Sequence, residues 1–149
     1  YRAENILHLP RRSGAARAGL LDFQDAMQGH RAYDLVSLVE DARRDVSPQT
    51  RAACMARYLE ATGVAPGAFA VSCAVLGAQR NLRILGVFAR LAAARGKPRY
   101  IDLIPRVWTH LQADLAHPAL APVKRIIDNA LPPPCADHLE RLRTACPTP

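Results

Sequence analysis

The apolar residues of this chain change period at about residue 30, and that change divides what the chain can fold into. From there onward they recur every three to four positions, the spacing that lines one face of a helix. Leu35, Leu38, Val39, Ala42 and Val46 make the first stripe, with Asp34 near the helix start, where a carboxylate is favoured. Pro48 ends that helix and opens another, which carries Met55, Tyr58, Leu59 and Thr62 on one side and Gly63 at its end. Phe69 to Ala94 reads as one long helical stretch, with a bend or break expected near Gly77 or Gly86 and a stop at Gly96 and Pro98. Tyr100 to Leu115 carries Ile104, Val107, Trp108 and Leu111, and Pro105 is tolerable there in an early turn. Val123 to Leu131 forms a short helix after His117-Pro118, and Asp137 opens a last one after Pro132 to Pro134. Helices of this kind are stable only when they bury their stripes against one another.

The first 29 residues read differently. Ile6, Leu7 and Leu9 form a short apolar run, Pro10 to Gly14 supply a turn, and Ala18 to Leu21 form a second run. That is the pattern of a β-hairpin. Asn5 precedes the first strand and Asp22 follows the second, so the hairpin brings both to the same end. The expected fold is mainly α with a small β-hairpin. It forms one domain over residues 1–149, with the hairpin in 1–29 and a helical subdomain in 30–149.

Composition narrows the function classes. The net charge is +7, and Lys97 and Lys124 are the only lysines. A nucleic-acid binder would gather its bases on one face among aromatic residues. Here Arg43, Arg57, Arg83, Arg95 and Arg125 are spread among acids along successive helical patterns, as on a solvated surface that attracts small anions. No apolar run approaches the roughly 20 residues that cross a bilayer. A small-molecule ligand is expected, with no nucleic-acid or membrane partner. Cys54 and Cys73 fall on apolar stripes and are expected as reduced, buried thiols of a cytoplasmic protein. Cys135, His138 and Cys146 are irregularly spaced and lack a fourth ligand for zinc.

The chemistry is concentrated in YRAENILHLP and GLLDFQDAMQGHRAYDLVSL. Phosphoryl transfer needs in-line positioning and a divalent ion to offset phosphate charge. Mg2+ takes oxygen ligands, usually one or two carboxylates or amides beside phosphate oxygens. An amide and a carboxylate at adjacent ends of two paired strands, Asn5 and Asp22, supply that set and are the expected ligands of Mg2+ and of ATP through it.

Tyr1-Arg2-Ala3-Glu4-Asn5 followed by Leu21-Asp22-Phe23-Gln24 resembles the catalytic segment of aminoglycoside phosphotransferases and choline-kinase-like enzymes. In that family the loop reads Asp-x-His-x-x-Asn and is followed by an Ile/Leu-Asp pair. The resemblance places the catalytic Asp immediately before Tyr1. It extends to Gly29, Tyr33, Asp34 and Leu35, and gives Asp34 a structural role, a buried carboxylate bonded to the backbone of the catalytic loop. LLDFQDA, YDLVSLVEDARRDV, QRNLRILGVFARLA and PRVWTHLQADLAHPAL are similar to the bacterial kinases that phosphorylate N-acetylmuramate and N-acetylglucosamine on the anomeric hydroxyl during cell-wall recycling. The similarity spans residues 1–131 and implies the C-terminal lobe of a protein-kinase-like α+β fold. It implies an absent N-terminal nucleotide lobe, ATP and Mg2+ as cofactors, and an amino sugar as acceptor. Without the other lobe this chain is expected to be inactive by itself. The competing readings are an aminoglycoside or choline-type kinase, and a non-catalytic helical interaction module derived from a kinase lobe.

Arg2 stands where the family has His, and it can point outward, grip a phosphate or mark a decayed loop. Asp25 is a candidate contact to a sugar hydroxyl or a turn cap, and Glu4 a candidate substrate contact or a surface ion-pair partner. Gln79, Arg80 and Asn81 interrupt the apolar run of the long helix and mark either a polar substrate pocket or an inter-helix network. Trp108 reads as a core anchor, and the five histidines show no metal-ligand spacing.

Overall fold

The computed structural model describes residues 2–24 and 26–145. The candidate substrate contact Asp25, and Cys146, lie outside the described residues.

The chain opens with a 3-10 turn at Ala3–Asn5 and the expected hairpin, β1 (Ile6–His8) and β2 (Ala18–Leu20). The strands are antiparallel, with Ile6 opposite Leu20, Leu7 opposite Gly19 and His8 opposite Ala18. One further backbone bond extends the ladder at each end, from Leu21 N to Asn5 O (2.9 Å) and from Leu9 N to Arg17 O (2.8 Å). The connection is longer than the expected Pro10 to Gly14 turn. It closes through a 3-10 turn at Gly14–Arg17, which Gly14 enters with φ 55°.

Helix α1 spans Ala32–Val39 and ends before its apolar stripe does. Ala42 and Val46, expected on the same helix, lie in the irregular segment that follows. There the Asp41 side chain accepts a hydrogen bond from the Arg43 backbone N–H at 2.8 Å, a local alternative to helical bonding. Ala42 is buried all the same. Helix α2 (Pro48–Thr62) has both signals of its sequence in place. Ser47 Oγ accepts from Thr50 N at 3.1 Å, Pro48 opens the first turn, and Gly63 caps the end with φ 64°.

Helix α3 (Pro66–Arg95) runs unbroken for 30 residues, about 45 Å at the usual rise. The helix does not break at Gly77 or Gly86. Gly77 serves a different purpose: a Cβ there would stand 2.5 Å from an oxygen of the Asp114 carboxylate, which packs against the bare backbone. After a 3-10 turn at Pro98–Leu103 come α4 (Ile104–Leu115), with Pro105 in its first turn, α5 (Ala121–Ala130) and α6 (Ala136–Thr144).

Helix α3 is the spine of the core. Its Phe69 and Cys73 meet Ala32 and Val36 of α1, and Met55, Tyr58 and Leu59 of α2 close over them. The Tyr58 ring stacks on Phe69 at 5.1 Å. Farther along, Ala74 and Ala78 pack on Leu111 and Leu115, and Trp108, expected as a core anchor, is only partly buried against them. Phe88 and Ala92 pack on Ile101, Ile104 and Val107. Arg143 ties α6 to the turn before α4 through Asp102 at 2.7 Å. Burial raises the Cys73 thiol to a pKa of about 11, consistent with an inert core cysteine. Cys54 departs from expectation. It is exposed on the outer side of α2, a helix with no fully buried residue. Among the described residues no helix is long and apolar enough to cross a membrane.

Candidate metal and acceptor site

The strand register determines what happens at the open end of the hairpin. Because Asn5 O accepts from Leu21 N, the residues on either side of that bond face one another. Asn5 Nδ2 donates to Asp22 Oδ2 at 2.9 Å. Gln24 Nε2 donates to the other carboxylate oxygen, Oδ1, also at 2.9 Å. Asp22 adopts a left-handed backbone with φ 56°, the one described residue other than glycine to do so. Aspartate tolerates this region better than most residues, at a cost of about 1 kcal/mol. The turn takes the chain away from the sheet at the point where the carboxylate is held beside Asn5.

These contacts suit a hard cation. Each Asp22 oxygen spends one lone pair on an amide and keeps another, and the Asn5 carbonyl oxygen takes no part in the contact. Asp22 is exposed and Asn5 half-buried. Among the described residues no three His, Cys, Asp or Glu side chains gather as a metal cluster. A two-ligand oxygen set fits Mg2+, which keeps several waters or phosphate oxygens of its own, and does not fit zinc.

Asn5 and Asp22 form one end of a pocket of about 810 Å3. Arg2 lines it, and so do Tyr33 and Asp34 from α1 and Arg80 and Arg83 from α3. His30 Nδ1 accepts the Ala32 N–H at 3.2 Å at the start of α1. Asp34 stands in the first turn of that helix and is exposed, whereas a buried carboxylate was expected. Glu4 turns to Arg43, Oε1 to Nε at 3.8 Å, the surface pairing considered for it.

The three polar residues that interrupt α3 separate. Gln79 is exposed and does not line the pocket. Arg80 does line it, with 8% of its surface exposed, and its NH1 donates to the Glu40 backbone oxygen at 3.2 Å. Burial lowers the Arg80 pKa, and Glu40 acts in the opposite sense. Asn81 is completely buried and does not line the pocket. Its Nδ2 donates to Glu40 Oε2 at 2.9 Å and to Asp114 Oδ2 at 3.0 Å. Arg51 of α2 closes the cluster on Glu40 Oε1 at 2.7 Å. Burial, then the nearby Glu40 carboxylate, raises the Asp114 pKa to about 8. Sequence reasoning missed Glu40 and Asp114. The available signal was Asp114 itself, an acid on the α4 stripe of Val107, Leu111 and Leu115. Arg83 and Tyr33 were missed as pocket residues because neither breaks a pattern.

The model of the phosphotransferase enzyme family matches residues 1–70, a span that holds Asn5, Asp22 and Asp34. Residues 1–70 are thus similar to that family. Over 133 residues, 89% of this chain, it is 52% identical to an N-acetylmuramate/N-acetylglucosamine kinase of Caulobacter vibrioides, of which it covers 37%. It is 34% identical over 117 residues to the kinase of that name in Pseudomonas aeruginosa, covering 73% of this chain and 35% of the relative. The Neisseria meningitidis protein of that name is 39% identical over 103 residues, 64% of this chain and 31% of the relative. The chain thus spans about a third of the length of the curated relatives it matches.

Proposed function

We propose that this chain is the metal-holding and acceptor-binding part of an ATP-dependent kinase that phosphorylates a hydroxyl of an amino sugar, N-acetylmuramate or N-acetylglucosamine. The observation that carries the reading is the Asn5–Asp22 contact across the hairpin end, at one side of a pocket of about 810 Å3. In this reading Asn5, through its carbonyl oxygen, and Asp22, through its carboxylate, would hold Mg2+. Bound there, the ion supplies the charge neutralisation that phosphoryl transfer requires. Gln24 fixes the Asp22 carboxylate and the hairpin fixes Asn5, so the ligands are positioned before the nucleotide arrives. The helical wall of α1 and α3 orients the acceptor. The aspartate expected immediately before Tyr1 takes the proton of the acceptor hydroxyl, and residues beyond this chain grip the rest of ATP. The 149-residue chain alone is then inactive.

The test is turnover by the full-length protein with ATP and Mg2+ against N-acetylmuramate, N-acetylglucosamine, an aminoglycoside and choline. Phosphorylation of the two sugars alone is the expected result. Turnover of only the aminoglycoside or choline moves the chain to those branches of the family, and no turnover of any acceptor leaves the non-catalytic reading.

A further inference from the structure

A buried charge is ordinarily paired with an opposite one, because desolvation costs more than a neutral hydrogen bond returns. Most of the half-buried arginines here follow that rule: Arg43 meets Glu4, Arg51 meets Glu40 and Arg106 meets Asp45. Arg80 departs from it. It is the most deeply buried arginine of the chain, at 8% exposure, and its hydrogen bond goes to a neutral carbonyl, Glu40 O. Among the described residues no carboxylate comes within ion-pairing distance of its guanidinium. Two buried carboxylates lie close enough to act on it: Glu40 has its oxygens committed to Arg51 and Asn81, and Asp41 accepts from the Arg43 backbone N–H. One turn on, at i+3 and on the same side of α3, Arg83 also lines the pocket and also lacks an ion-pair partner among the described residues. Two guanidinium groups thus face one pocket with most of their donors unspent.

We propose that Arg80 and Arg83 form a carboxylate subsite in the acceptor pocket, which binds an acid group carried by the substrate. The identity of that acid rests on the amino-sugar reading; the subsite does not. N-acetylmuramate differs from N-acetylglucosamine by a lactyl ether that ends in a carboxylate. The Arg80–Arg83 pair then selects the acidic sugar, and the Asn5–Asp22 end serves both sugars alike. Arginine suits the task because its planar fork binds a carboxylate through two parallel bonds.

Calorimetric binding of each sugar to the full-length protein tests this independently of turnover. Wild type is expected to bind N-acetylmuramate about tenfold more tightly than N-acetylglucosamine, roughly the strength of one charge-assisted pair. Arg83→Gln, at an exposed position where folding is not at stake, and Arg80→Lys, which keeps the charge but loses the fork, should each remove most of that preference. Binding of the neutral sugar should stay within about threefold. Equal weakening for both sugars, or no preference in the wild type, overturns the subsite. So does a loss confined to the calorimetric binding of ATP, which would assign the two arginines to the nucleotide phosphates. A protein that prefers the carboxylate and loses that preference in Arg83→Gln, yet phosphorylates neither sugar, would retain the subsite and refute the kinase reading.

Discussion

The structure contains the same chemical pairing twice, an asparagine amide against a carboxylate, in opposite surroundings. At the hairpin end Asn5 donates to Asp22, which is exposed and at the edge of a large pocket. Inside the helical body Asn81 donates to Glu40 and Asp114, and these three side chains are between 0% and 4% exposed. In the first place the carboxylate keeps lone pairs directed at space a ligand can enter. In the second, Arg51 and Asn81 occupy the oxygens of Glu40, and the high pKa of Asp114 keeps a proton on the pair at neutral pH. A buried polar cluster fixes how helices meet, and an exposed one is left to bind. Residue type does not separate the two roles, but access to solvent does.

Asp22 is where that contrast is most easily broken. In the full-length protein Asp22→Asn should lower turnover by about a thousandfold, the scale of losing a transition-state electrostatic contact. Its thermal midpoint should move by no more than about 2 °C, since an exposed substitution costs little. Substantial unfolding with turnover retained would make the Asn5–Asp22 contact a hairpin staple and remove the distinction between the two clusters.

The exposed cluster was legible in the sequence because hairpin logic is local. Asn5 and Asp22 bracket two runs whose pairing needs only a turn between them, and one register brings their side chains together. The buried cluster was half legible. Asn81 stood out as a polar residue in an apolar run, but its partners are 41 residues before it and 33 after it, on elements whose approach depends on tertiary packing. The same limit explains two misreadings. The stripe through Ala42 and Val46 suggested a longer α1, since a buried residue in an irregular segment has the same spacing as one on a helix. Gly77 suggested a possible break because its reason, the Asp114 carboxylate, lies on another helix. Helix ends, by contrast, were read correctly at Pro48, Gly63 and Gly96, where the signal and its effect lie within one turn.

The proton held in the buried cluster gives the body a pH dependence that the hairpin end should lack. Asp114 has a pKa of about 8 in the folded chain, against a usual value of 3.8. Between those two limits the folded state binds a proton that the unfolded state releases. Stability contributed by this group is therefore full below the unfolded pKa and declines as pH rises to about 8. Asp114→Asn copies the protonated acid: its carbonyl accepts from Asn81 and its amide donates toward Glu40. Urea unfolding from pH 5 to pH 9 should show wild-type stability falling relative to Asp114→Asn across this window. Parallel profiles would mean that Asp114 is already charged and that the cluster does not hold a proton.

Two glycines of α3 give the smallest test and locate the edge of the buried cluster. Gly to Ala inside a helix is ordinarily stabilising by roughly 0.5–1 kcal/mol. At Gly86 a new Cβ would meet nothing within 4 Å, so Gly86→Ala should show that gain. At Gly77 the Cβ would stand 2.5 Å from Asp114 Oδ2, and the carboxylate cannot swing aside without abandoning Asn81. Overpacking there should cost about 2 kcal/mol and exceed the propensity gain. The sign should therefore reverse along one helix within nine residues, read as opposite shifts of the unfolding midpoint. Combining Gly77→Ala with Asp114→Ala removes the obstructing group, so the alanine at 77 should turn from harmful to neutral or helpful in that background. If it stays harmful when Asp114 is gone, the glycine answers to the backbone of α4 and the carboxylate is incidental to how the two helices approach.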